Sequence, residues 1–491
     1  MCAVRKKNNA LQKILFVGVI SLLSVTSQSQ DLVSKVITPW ADPLQANPSV
    51  IEVGGSILPG DKIIVPCTQY TNIVNAEEEL SLSRAVDLAL CNNSQVKSTW
   101  AAIKIESAAL GEARGRYLPT LSISASRIND TTRYPESGIP ISDITSNTAY
   151  ANFSWRMFDF GGRNADRQSA NELLNSALAN HDAVIQKILI SVVTNYFDAQ
   201  TKQATLVARQ RNEILARQIF ETFQHKEARG AGSRSDSLQA EASLAKASLD
   251  KSRSQGAFRK SLSILVYTLG LPTSANIKLA EDLVDNKNNI QQDLDEWLLQ
   301  TEKQHPAIIA ARAQLESARQ QIASVRAEGL PTLDITGSYY QNGHPNQGVT
   351  SIQTRENSIG ITLTIPIFNG FSNTYRVRGA QARVEQKTAD LEDTKQQILM
   401  ETVKAYADAN TALNNLNASE ELLNTAKEAL FAVQHKFDKG VADVLEILNA
   451  QSVLSDAELE RIQCLADWRA ARLTLFAEAG ILGKNEIDNQ N

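Results

Sequence analysis

The sequence predicts an α+β membrane protein. Four membrane-length β-strands per chain supply part of a β-barrel, very long α-helices continue it, and the whole is an internal duplication. Three observations predict this. From Phe158 to Gly270 the pattern of the chain returns 210 residues later, ending at Gly480. Two pairs of segments alternate apolar and polar side chains over the roughly 10 residues that a membrane strand needs. Two runs, 162–228 and 372–438, are 67 residues long and lack Pro. At 1.5 Å per residue each is about 100 Å of helix.

Residues 1–27 read as a secretory signal. Arg5, Lys6, Lys7 and Lys13 precede the apolar run 14–25, and Val25-Thr26-Ser27 offers small residues for cleavage. The run is too short to span a bilayer. Cys2 lies ahead of it, which excludes lipoprotein acylation there, so the mature chain is expected to be exported and unlipidated. Losing those four cations and no acid takes the formal net charge from -5 to -9. An acidic chain without basic tracts does not suit nucleic acid as a partner. No later apolar stretch approaches the roughly 20 residues of a membrane helix, so any crossing must use strands.

The mature chain keeps Cys67, Cys91 and Cys464. An oxidising compartment lets Cys67 and Cys91 pair, tying the N-terminal segment to the first helix; two free thiols are the alternative. Cys464 lies in a helical pattern and is expected to be packed rather than reactive. Residues 28–78, rich in Pro, Gly and β-branched residues, read as an extended arm. From Leu80 the chain is helical, with Ser81 or Ser83 as the cap. The first repeat occupies 79–270, a connector 271–292, the second repeat 293–482 and a tail 483–491.

Within each repeat the order is helix, strand, loop, strand, long helix, turn, helix. Leu118-Pro119-Thr120-Leu121 returns as Leu330-Pro331-Thr332-Leu333, Tyr196 and Asp198 as Tyr406 and Asp408, and His225-Lys226 as His435-Lys436. In each copy Pro ends the preceding helix, because it disfavours helical geometry in the residue before it. A hairpin over about 118–160 places Leu121, Ile123, Ala125, Ala151, Phe153, Trp155 and Met157 on one face, with Ser122, Ser124, Ser126, Asn152, Ser154 and Arg156 opposite. The second hairpin, about 331–368, alternates Ile359, Ile361, Leu363, Ile365 and Ile367 with Gly360, Thr362, Thr364 and Pro366. A half-buried soluble hairpin and a transmembrane barrel strand pair both fit this alternation.

The long helices, 162–228 and 372–438, favour the barrel. Val384, Leu391, Ile398, Ala405 and Ala412 recur at a coiled-coil spacing of seven. Helices of that length need neighbours of equal length, and return helices at 235–268 and 443–478 supply two. Four strands cannot close a barrel, and an open edge in lipid leaves backbone groups unpaired at several kcal/mol each. Closure therefore requires several chains; two, three or four all close on paper.

The paired hairpins feeding long helices, the two Leu-Pro-Thr-Leu motifs, the junctions Phe158-Asp159-Phe160-Gly161-Gly162-Arg163 and Phe368-Asn369-Gly370-Phe371, and the turns at Gly230 and Gly440 resemble the TolC family of outer-membrane factors. The match covers roughly residues 79–483. It implies a homotrimer with a twelve-stranded barrel in outer-membrane lipid and an α-helical barrel across the periplasm of a Gram-negative cell. It also implies a periplasmic adaptor (membrane fusion) protein and an inner-membrane transporter, ABC or proton-driven, as partners. Such a protein is a passive exit duct. The Cys67 segment and Leu88-Ala89-Leu90-Cys91-Asn92-Asn93 are similar to branches serving type I protein secretion. Multidrug or metal efflux is the alternative, and a periplasmic coiled-coil adaptor is the alternative of another class.

No catalytic, cofactor or metal constellation is legible. The five histidines are scattered, and His225 and His435 stand near helix ends, where a cation complements the helix dipole. Gly161-Gly162 is a corner without the following Lys-Ser or Lys-Thr of a phosphate loop. The resemblance implies a pore constriction at Glu446 and Asn449, of which only Glu446 carries charge; an ordinary first-turn acid is the competing reading of Glu446. It implies a gate latch built from an aspartate, a tyrosine and an arginine. Here Asp236 is present, whereas Phe437 and Ala442 stand at the two donor positions. The turns Gly230-Ala231 and Gly440-Val441 resemble the tips that meet the adaptor, although the left-handed conformation of a helix end explains the glycines by itself.

Overall fold

A computed structural model of the chain describes residues 79–132, 142–280, 292–342, 353–439, 441 and 443–483. The expected signal, the arm with Cys67, Gly440, Ala442 and all but the first residue of the tail lie outside the described residues. The elements are α1 (Leu82–Asn92), α2 (Ser94–Gly115), β1 (Thr120–Thr132), β2 (Ser142–Phe158), α3 (Gly162–Ala228), α4 (Arg234–Thr268), α5 (Leu294–Gln304), α6 (Pro306–Ala327), β3 (Thr332–Gln341), β4 (Arg355–Thr364), α7 (Ser372–Asp438) and α8 (Val444–Glu478). Helices of the two repeats match in length pair by pair: 11 residues in α1 and α5, 22 in α2 and α6, 67 in α3 and α7, and 35 in α4 and α8. Ser81, not Ser83, caps α1, its side chain accepting from the Arg84 amide.

Two compact units result, one of residues 107–167 and 327–367, the other holding most of the helices. The first contains a four-stranded antiparallel sheet in the order β1-β2-β3-β4. The central β2–β3 pairing joins the two repeats, aligning Phe153 with Gly337 and Trp155 with Ile335. Cross-strand partners share a face, so the registers sort the sheet into rows. Leu121, Phe153, Gly337 and Ile359 form one row, and Ser122, Asn152, Ser338 and Ser358 the adjacent one on the opposite face. The polar face carries the Arg156–Asp334 ion pair at 2.9 Å and a Ser126–Thr148 hydrogen bond at 2.6 Å.

The apolar face lies open: Ile123 is 76% exposed, Ile361 73% and Ile359 89%. A soluble hairpin would bury such a face against a core, so this exposure favours the membrane reading. Two expectations need correcting. The strand expected to run through Ile365 and Ile367 ends at Thr364, because Pro366 has no amide hydrogen for the ladder. Met157 does not continue the apolar row; the register shifts between Arg156 and Phe158, and Met157 is the extra residue of a bulge.

The helical unit has two main cores. One packs Leu82, Ala85, Val86 and Ala89 of α1 against Leu189, Val192, Val193, Tyr196 and Phe197 of α3. The other packs Trp297 of α5 against Ala405, Ala409, Ala412 and Leu416 of α7 and Trp468 and Leu475 of α8. The seven-residue seam is visible in α7, where Val384, Leu391 and Ile398 are half-buried and Ala405 and Ala412 buried. Cys464 is packed in the second core as a free thiol, and burial pushes its pKa up.

Candidate functional site

At the first junction the chain leaves β2 and enters α3 through Phe160 and Gly161, both left-handed (φ 51° and 87°). Arg163 fastens this corner. Its backbone N and its Nε both donate to Asp159 Oδ2, at 3.0 and 2.8 Å, its Nη1 donates to the Arg156 carbonyl and its Nη2 to the Met157 carbonyl. The guanidinium also lies 4.8 Å from the Tyr117 ring centroid. Both charged side chains are nearly buried, Arg163 at 11% and Asp159 at 14% exposure. Phe158 and Phe160 meet edge to face at 4.8 Å and remain exposed. At the second junction Gly370 and Phe371 are the left-handed pair, and Phe368 meets Phe371 edge to face at 5.4 Å. Phe371 caps α7 without a side-chain hydrogen bond.

At the other end of α3, the Gly230 amide donates to the Glu227 carbonyl and the Ala231 amide to the Lys226 carbonyl, a Schellman closure around left-handed Gly230. Val441 makes the matching bond to the Lys436 carbonyl. A Cβ on Gly230 would meet nothing within 4 Å; the glycine is there for its backbone. Ala231 and Val441 are both exposed.

The turns bring the expected site residues together only in part. Asp236 and Glu446 sit in the first turns of α4 and α8, capped by Ser233 and Asp443 respectively, so neither is itself the cap. Asn449, one turn further along α8, is exposed. Glu446 is not a lone carboxylate: Lys436 Nζ lies 3.2 Å from its Oε1. Phe437 packs into a small apolar cluster with Phe223, Ala240 and Val444. Its ring lies 5.6 Å from that of Phe223, and Lys226 Nζ stands 4.3 Å from its centroid. Phe437 therefore offers an apolar and cation–π contact and no hydroxyl donor at this position. Lys226 and Lys436 were legible only as helix-end cations. The ten-residue spacing across a tight turn, Lys436 to Glu446, was the signal available for the second.

Cys91, inside α1, is disulfide-bonded; Cys67 lies outside the described residues. Among the described residues no group of His, Cys, Asp or Glu has metal-site geometry, and no helix is long and apolar enough to cross a membrane.

A model of the family described as outer membrane efflux protein matches residues 85–271 and 297–480. Protein CyaE of Bordetella pertussis is 32% identical over 84% of this chain and 86% of its own length. The alkaline protease secretion protein AprF of Pseudomonas aeruginosa is 25% identical over 62% of this chain and 63% of its own. Among solved structures, the Campylobacter jejuni CmeC outer membrane channel superposes with a TM-score of 0.71 at 18% identity, covering 83% of this chain and 89% of that one.

Proposed function

The chain belongs to the outer membrane efflux protein family, the TolC family of channels, and on that premise we propose that it is the exit duct of a type I protein secretion system. Family members are trimeric outer-membrane channels that reach into the periplasm and work with a periplasmic adaptor and an inner-membrane transporter. This chain is such a channel and not an enzyme. A family match across both repeats leaves no room for the periplasmic adaptor reading.

The likeness to AprF, a protein named for alkaline protease secretion, carries the choice of a polypeptide as cargo. The disulfide at Cys91, within the Leu88–Asn93 pattern, fits an oxidising compartment. Efflux of small toxic molecules is the second reading, favoured by the family's own description. Deleting the gene and scoring both secreted proteins and drug or metal sensitivity separates them. Loss of one secreted protein with unchanged sensitivities supports secretion. The reverse supports efflux, and no change in either removes the transport reading for this chain.

In the trimer β4 of one chain pairs with β1 of the next, closing twelve strands with the apolar face toward lipid. The exposed phenylalanines of the two junctions stand at the inner bilayer interface, where aromatic girdles sit. The turns at Gly230-Ala231 and Gly440-Val441 meet the helical hairpin of the adaptor, and the transporter behind it is of the ABC type. Glu446 and Asn449 line the constriction, with Asp236 and the Phe437 cluster as its latch. Because Lys436 pairs with Glu446 at 3.2 Å, Lys436→Gln is expected to raise cation preference and Glu446→Gln to abolish it, read as reversal potentials in planar bilayers. Unchanged selectivity in Glu446→Gln would remove Glu446 from the constriction.

A further inference from the structure

The two repeats build the same helix joint from different chemistry. In the first, Asn93 stands between α1 and α2, and its Oδ1 accepts from the Gln95 amide at 2.8 Å, capping α2. Its Nδ2 donates to the Thr268 carbonyl at the end of α4, and Asn195 donates to the Thr268 and Ser191 hydroxyls. Left-handed Gly270 packs against this joint; a Cβ there would come within 2.8 Å of the Asn92 carbonyl.

In the second repeat the glycine is kept, as Gly480, but each polar position has changed. His305 replaces Asn93, Glu401 replaces Ser191, Glu478 replaces Thr268 and Ala405 replaces Asn195. The backbone is the same. His305 Nδ1 accepts from the Ala307 amide at 3.2 Å, capping α6, and left-handed Gly480 packs against the ring so closely that a Cβ would meet His305 Cδ2 at 3.1 Å. An amide donor at Nδ1 requires a lone pair there, so the ring is neutral with its proton on Nε2. His305 is 5% exposed. We propose that this joint is a proton-sensitive hinge, in which His305 caps α6 only while its ring is neutral, whereas the Asn93 cap of the first repeat has no proton to gain, the nearest titrating imidazole to α2 being His181 at the Thr99 hydroxyl.

The charged group that acts on the ring is Glu401 on α7; Glu401 in turn acts on Glu478 at the end of α8, and the Glu302–Lys395 pair at 2.6 Å bridges α5 and α7. Burial pushes the His305 pKa down to about 4, against a smaller upward pull from Glu401. A folded value below the unfolded one, near 6.5, makes the hinge complete above about pH 6.5 and progressively lost as pH falls toward 4. Glu478 acts in the opposite sense. Burial first, and Glu401 second, raise its pKa, so its contribution improves as pH falls. Protonating His305 therefore removes a cap in one repeat alone.

Hydrogen exchange on the intact detergent-solubilised trimer tests this, with rates corrected for intrinsic pH dependence. Protection of the first α6 amides, 307–310, is expected to fall by up to about tenfold per pH unit between pH 6 and 4.5, and more steeply than that of 95–98 of α2, where His181 meets Thr99 but the cap does not titrate. His305→Asn should abolish that difference, and the reciprocal Asn93→His should transfer it to 95–98. Equal behaviour of the two segments in the unsubstituted trimer would overturn the proposal, as would a difference that survives His305→Asn. Should His305→Asn fail to assemble, Asn93→His decides alone: pH-dependent exchange at 95–98 supports the hinge and its absence refutes it.

Discussion

The two strand-to-helix junctions perform the same backbone manoeuvre with their residues in opposite order. Phe160-Gly161 and Gly370-Phe371 are the equivalent pairs, and all four residues are left-handed. Each junction thus needs two successive positive φ values, yet glycine supplies only one of them, first in one copy and second in the other. The phenylalanine in the remaining position accepts a conformation that costs a side-chain-bearing residue about 1 kcal/mol. In return its ring meets a second phenylalanine edge to face. The fastening, by contrast, is not shared. Arg163 and Asp159 knot the first corner, whereas Asn373 and Asn369 occupy those positions in the second, and Asn373 Oδ1 is buried without a partner among the described residues. The turn geometry is set by the demand to reverse from strand to helix; what ties it down is free to differ.

That contrast can be broken or sharpened by substitution, read as unfolding of the assembled channel. Arg163→Met should have the largest effect, about 3 kcal/mol, because it strands a nearly buried Asp159 carboxylate. Asn373→Met should change little beyond about 0.5 kcal/mol, and equal losses at both positions would mean that the fastening is shared after all. Gly161→Ala and Gly370→Ala should each cost about 1 kcal/mol through φ alone, since a Cβ at either meets nothing within 4 Å. A loss at one glycine and not the other would deny that the two corners have the same backbone requirement. The smallest effect belongs to the exchange Phe160→Gly with Gly161→Phe, which gives the first junction the residue order of the second. It should fall within about 0.5 kcal/mol if order is immaterial.

Most of the local architecture was legible in advance. Both 67-residue helices begin and end where the sequence indicated, because glycines punctuate the backbone directly at their boundaries. The strand that stopped short at Thr364 shows the limit of periodicity: Ile365 and Ile367 keep the alternation that Pro366 has already ended. The candidate site was less legible. Glu446 and Phe437 could be named, but the Lys436 and Lys226 partners that change their chemistry could not. Those contacts join residues whose spacing carries no period.

By itself, then, the sequence determined what depends on neighbours along the chain: helix lengths, the apolar and polar faces of four strands, the glycine turns, and the duplication that requires several copies to close a barrel. Tertiary structure decided what depends on neighbours through space. It paired β2 with β3 across the repeats, gathered Arg163 onto Asp159, three backbone carbonyls and the Tyr117 ring, set Lys226 over Phe437, and buried His305 where the first repeat keeps an asparagine. The physical reason is that a backbone preference is written in each residue and its next few neighbours, whereas the worth of a polar side chain is set by the partners and the burial that folding brings to it.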